Sequence, residues 1–188
     1  MNQTLLIAIV AAVVVVALVA VFAARRRRSA HLKEHFGPEY DRAIEAAGSP
    51  SKAEAELAER EKRVEKLTLR PLDHTEREDF MRRWSEVQAR FVDDPPRAVA
   101  FADALLGEVM KARGYPVSDF DQRAGDISVE HPGVVEHYRT AHDIALRHER
   151  GQASTEDLRQ AMIHYRALFD ELVGAGETMP ERQPEPTH

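Results

Sequence analysis

The sequence predicts an all-α protein, an N-terminal transmembrane helix followed by a small helical bundle. Three observations point there. Thr4–Ala24 is an uncharged run of 21 residues, followed at once by Arg25, Arg26, Arg27 and Arg28. After it come several segments whose apolar residues recur at helical spacing. Each is bounded by a capping signal, a glycine or a proline, and strand signals are poor.

The N-terminal run comes first. At about 1.5 Å rise per residue it is ~31 Å long, enough for the ~30 Å hydrocarbon core of a bilayer. A cleaved secretory signal is the rival reading. It fits less well, because Met1-Asn2-Gln3 carries no side-chain charge, the run is long, and the basic cluster lies on its far side. By the positive-inside rule the arginines face the cytoplasm. The expectation is a single-pass cell-membrane protein, N-terminus outside and residues 29–188 cytoplasmic. Arg25, Arg26, Arg27 and Arg28 would then contact the membrane surface.

The remaining residues divide as follows. Residues 1–3 are a short tail, 4–24 the span, and 25–50 a basic juxtamembrane neck. Residues 51–70 form a charged helix or linker, 71–173 the bundle, and 174–188 a disordered Pro-rich tail. Within the neck, Gly37-Pro38 starts a short helix that Gly48 stops. Ser51-Lys52-Ala53-Glu54 reads as a capping box that opens the charged helix. Its apolar stripe is thin, with Ala53, Leu57, Val64 and Leu67 but Arg60 in the seam. That pattern predicts a helix that is mostly solvated or packs weakly against a partner, and a solvated linker rather than a coiled coil.

The bundle opens at a second capping box, Thr75-Glu76-Arg77-Glu78, and Phe80, Trp84, Val87 and Phe91 share one face of its first helix. Asp93-Asp94-Pro95-Pro96 is a corner in which the aspartates cap the next helix and a proline enters its first turn. That helix carries Val99, Ala102, Leu105, Leu106, Val109 and Met110 and stops at Gly114-Tyr115-Pro116. Ser118 caps a short turn to about Ala124. A further helix runs from Pro132 to Arg150, with Val135, Tyr138, His142, Ala145 and Leu146 in line. Ser154-Thr155-Glu156-Asp157 opens the last one, whose stripe is Leu158, Ala161, Met162, Tyr165, Leu168, Phe169 and Leu172. Short corners between amphipathic helices make an antiparallel bundle the economical arrangement, with the aromatic stripes as its core.

Charge and composition exclude several function classes. Taking the four neck arginines from the 26 basic residues leaves 22 against 32 acidic ones, so residues 29–188 carry a formal charge of −10. A nucleic-acid-binding domain would show a basic face. The absence of cysteine excludes disulfides, thiol catalysis and Cys-ligated metals. No Gly-rich phosphate loop and no G-x-S-x-G is present.

Two groups of residues resemble metal chemistry. His31-Leu32-Lys33-Glu34-His35 matches H-x-x-E-H, in which two histidines one turn apart share a zinc beside a glutamate base. Its charged surroundings offer no cavity wall, and Glu108 is an arbitrary third ligand. His142 and His164 could meet between two bundle helices, but the Glu-x-x-His pairs of a di-metal bundle are missing. The sequence therefore assigns no catalytic, metal or cofactor residue.

Phe36-Gly37-Pro38-Glu39-Tyr40-Asp41-Arg42, Arg90-Phe91-Val92-Asp93-Asp94-Pro95, Ala112-Arg113-Gly114-Tyr115-Pro116 and His164-Tyr165-Arg166-Ala167-Leu168-Phe169 resemble a group of short bacterial, actinobacterial-type hypothetical proteins labelled membrane or secreted. The likeness covers about residues 34–173 and implies no activity. The functional expectation is a membrane-anchored scaffold or adaptor. Its partners would be the lipid bilayer and another protein, with no nucleic acid and no cofactor. The alternatives are a metal-dependent enzyme using the His31–His35 segment, or a small-ligand sensor.

Overall fold

The structure, a computed structural model, describes residues 3–116 and 118–174, with side chains from Ala12 onward. Eight helices and no strand form among the described residues: α1 (Gln3–Phe36), α2 (Pro38–Ala47), α3 (Pro50–Val64), α4 (His74–Arg90), α5 (Pro95–Ala112), α6 (Phe120–Glu130), α7 (Val135–Glu149) and α8 (Thr155–Gly174). The all-α class and the helical bundle are as the sequence predicts. The Pro-rich tail lies outside the described residues.

The expectation of a membrane span is overturned. Among the described residues, no helix is long and apolar enough to cross a bilayer. The apolar run continues without a break into the four arginines and on to Phe36 as one helix. The side chains of the earlier part, Thr4–Ala11, lie outside the description. The cell-membrane localisation falls with the span, and so does the orientation that put the N-terminus outside and the later residues in the cytoplasm.

The chain divides into two compact units, 1–59 and 60–188. In the first, Gly37 sits at φ +50° between α1 and α2, a backbone conformation that L side chains rarely adopt. Gly48, at φ +70°, ends α2 in a left-handed cap. The Tyr40 hydroxyl donates to Glu54 Oε1 at 2.9 Å and ties α2 to α3. Helix α3 opens at Pro50, one residue before the expected Ser51 box, because proline suits the first helical turn. Its thin stripe is not solvated: Ala53, Leu57 and Val64 are all buried. Arg60 already belongs to the second unit, where its guanidinium Nη1 lies 3.5 Å from Ser128 Oγ.

The second unit is the bundle. Helix α8 packs chiefly on α7 and α5, α5 on α4, and α6 on α7. Phe80, Trp84, Leu105, Leu106, Tyr138, Tyr165, Leu168 and Phe169 are among its core residues, while Phe91 is only half-buried against it. Trp84 stacks on Phe169 with ring centroids 4.6 Å apart.

Capping follows the sequence with small shifts. Asp73, not Thr75, is the N-cap of α4, and it forms a reciprocal capping box with Glu76. Arg70 grips Glu76 with both guanidinium arms, at 2.6 and 2.7 Å, and holds that carboxyl at about 2. Asp94 caps α5 by accepting from the Arg97 N–H, as expected. Asp119 rather than Ser118 caps α6. That helix runs on to Glu130 instead of stopping near Ala124, because Ala124–Val129 is buried throughout. Helix α7 starts at Val135, three residues later than Pro132 suggested. Ser154 and Asp157 exchange capping bonds at the start of α8, as expected.

Candidate functional site

A groove lies between α4 and α8. The two helices run antiparallel. Arg77, Met81, Trp84 and Gln88 of α4 face Arg166, Phe169, Asp170, Val173 and Gly174 of α8 across a depression of about 420 Å³. A second depression of about 240 Å³ continues it, between Gln88 and Phe91 on one side and Arg159, Met162, Ile163 and Arg166 on the other. Gln88 and Arg166 line both. Trp84 and Phe169, nearly fully buried, make the floor. Met81 and Ile163 stand out of it, 55% and 48% exposed.

Local sequence explains the geometry. The core stripes of α4 and α8 meet at Trp84 and Phe169. Met81 and Ile163 lie one position beyond those stripes, so they turn away from the core. The rim is basic. Arg82 is paired with Asp79 and Glu86, Arg159 with Glu156, and Arg166 with Asp170, each partner on the same helix. These are exposed pairs, whose strength in water is only about 0–1 kcal/mol.

No family model matches the chain. No curated protein and no solved structure matches it either.

Among the described residues, several polar clusters join helices inside the bundle. The first sits under α5. Asp103 Oδ2 lies 3.6 Å from Arg123 Nη2, and the guanidinium stands 5.9 Å over the Tyr138 ring. Burial drives the hydroxyls of Tyr138 and Tyr165 far above the usual phenol range, and the nearby Asp103 carboxylate adds to the effect. No well-formed hydrogen bond joins either hydroxyl to the carboxylate. A cavity of about 210 Å³ borders this cluster, lined by Val99, Asp103, His142, Leu146, His148 and Tyr165 among others. The unpartnered oxygens are themselves sealed from solvent, so the cluster reads as interior scaffolding rather than an accessible site.

The second cluster is a chain. Arg113 Nη1 lies 3.1 Å from His131 Nε2, and His131 Nδ1 lies 2.9 Å from Glu171 Oε1. Because arginine can only donate, Nε2 accepts, and Nδ1 carries the proton given to the carboxylate. The third is a pair of histidines on α7 and α8, His137 and His164, with their Nδ1 atoms 2.8 Å apart.

The structure places each residue weighed in the sequence. Arg25, Arg26, Arg27 and Arg28 are exposed on α1. His31 and His35 stack with ring centroids 5.9 Å apart. Glu108 is engaged by Arg83 at 2.7 Å. Among the described residues, no group of three or more potential ligands gathers around a point. His142 and His164 are not brought together: His142 stacks on Phe120 at 3.6 Å, and His164 meets His137 instead. Sequence reasoning missed Asp103 and the groove. Asp103 stands four residues after Val99 and three before Leu106, so its place within the α5 stripe was the available signal. For the groove, the signal was Met81 and Ile163, large apolar residues next to a complete stripe.

Proposed function

We propose that this protein is a scaffold or adaptor, and that the α4/α8 groove is the face with which it binds another protein. The observation that carries the reading is the coincidence of an aromatic floor with exposed Met81 and Ile163 in one antiparallel helix–helix groove. Helix-in-groove recognition uses such an apolar trough between two helices. Methionine suits an adaptable contact surface, because its unbranched side chain repacks around different shapes. Scattered exposed apolar residues need no explanation, but these line a shared concave surface.

The chain contains no cysteine and one tryptophan, which leaves it free for site-specific probes. A photo-crosslinking residue placed at Met81 or Ile163 in the full chain, in its native host cells, should yield a discrete protein adduct. The same residue at Asp143, exposed on α7, should yield none. Absence of adducts at both groove positions, or an identical adduct pattern at all three, sinks the scaffold reading.

A further inference from the structure

We infer that the occupant of the α4/α8 groove is an acidic amphipathic helix about four turns long. This rests on the scaffold reading and names the chemistry of its partner. The first argument is length. The combined lining runs from Arg77 along α4 to Phe91, just past its end, and from Arg159 to Gly174 along α8. At about 1.5 Å per residue, each wall is ~21–23 Å long, the length of a helix of about 14–15 residues. An extended strand would leave its alternate side chains and one backbone edge unpaired, because two helical walls offer no sheet edge.

The second argument is charge. The chain as a whole is acidic, with a formal net charge of −6. Yet the groove lining holds four arginines, Arg77, Arg82, Arg159 and Arg166, against one carboxylate, Asp170. The partners of Arg82 and Arg159, which are Asp79, Glu86 and Glu156, stand outside the lining. An incoming carboxylate can therefore take over an arginine whose present pair is solvent-exposed and weak. A basic helix would meet like charge on both rims.

The third argument is the pattern of the floor. Met81, Trp84 and Phe169 give the first depression its apolar lining, and Phe91, Met162 and Ile163 give the second theirs, with Gln88 and Arg166 at the junction. The ligand face that fits has apolar residues at i, i+3 or i+4, and i+7, with glutamates flanking that stripe.

Trp84 supplies the readout, since it is the only tryptophan and part of the floor. The full chain is titrated with a Trp-free 15-residue amphipathic peptide bearing a Leu stripe flanked by Glu. Two controls share its composition: one has Lys for every Glu, and the other has the Leu stripe scrambled. The Glu peptide should bind saturably, at least tenfold more tightly than either control, and should weaken in raised salt. Arg166→Glu should weaken it at least fivefold while binding of the Lys peptide improves. Ile163→Asp, at an exposed position whose substitution leaves the core intact, should also weaken it. Equal binding of the Glu and Lys peptides, binding unaffected by Arg166→Glu and Ile163→Asp, or no saturable change with any peptide overturns the inference. If the crosslinks at Met81 and Ile163 still map to a protein in that case, the scaffold reading survives with a different occupant.

Discussion

His137 and His164 face each other across α7 and α8 with their Nδ1 atoms 2.8 Å apart. The ring centroids are 5.1 Å apart, close to that distance plus the two reaches from centroid to nitrogen, so the nitrogens meet head-on. One ring must donate and the other accept, and the pair accommodates a single proton between them. The same orientation disfavours a shared metal, whose two ligand nitrogens would have to converge on a third point.

That geometry sets a pH dependence. The pKa of His164 is lowered from 6.5, first by burial and then by the nearby His137, with Glu136 pulling weakly the other way. A depressed histidine binds fewer protons folded than unfolded, so its contribution is present above the unfolded value and is lost as pH falls through the folded one. Thermal melts from about pH 7.5 down to about 5 should show a declining Tm that His164→Gln makes shallower. Parallel curves for the two proteins would show that the pair does not couple to folding.

Removal of the His131 ring should leave the Arg113 guanidinium buried with one acceptor fewer. His131→Ala is expected to cost about 1–3 kcal/mol, the penalty for an unmatched buried polar group. Glu171→Gln should cost less, because an amide oxygen can still accept from Nδ1 while the half-exposed carboxylate loses only charge. Urea unfolding monitored by Trp84 emission ranks the two. A larger loss in Glu171→Gln would show that the carboxylate, not the histidine–arginine contact, holds this end of the bundle.

Gly114 is held in place by sterics. Its φ is +97°, and a Cβ there would lie 2.4 Å from the Thr68 carbonyl oxygen. The neighbouring bond from Arg70 N–H to Arg113 O, at 2.9 Å, fixes that crossing. Gly114→Ala should therefore destabilise by more than the ordinary ~1 kcal/mol of a glycine replacement at positive φ. Gly151→Ala has the strain of φ +70° but open space around it, and should cost less. Equal losses for the two would mean that the 68–70 segment simply shifts away.

The four arginines of α1 present an exposed basic patch in an acidic chain. Contact with anionic lipid headgroups, rather than passage through a bilayer, would contribute roughly 1 kcal/mol per basic residue. Vesicles of anionic composition should retain the full chain at low salt. A variant with glutamine at positions 25–28 should be retained less and lose its salt dependence. Unchanged, salt-independent retention would remove any role for the arginines.

The sequence by itself determined the helices, since apolar period, capping side chains and terminating glycines act within a few residues of one another. Asp94, Ser154 and Gly48 do what their local chemistry dictates. It also determined the core stripes, from Trp84 to Phe169, because a face that alternates at helical period has to be buried somewhere. It failed where an element's fate depends on a neighbour far along the chain. The α3 stripe reads as thin, yet Ala53, Leu57 and Val64 are buried, and α6 reads as a brief turn although Ala124–Val129 is buried. The pairing of His164 with His137 rather than His142 follows from the register of α7 against α8. The groove arises because α4 and α8 lie antiparallel, with Met81 and Ile163 beside their contact. Tertiary structure decides these points because helix periodicity fixes which way a side chain leaves its own axis, and only packing fixes what it meets.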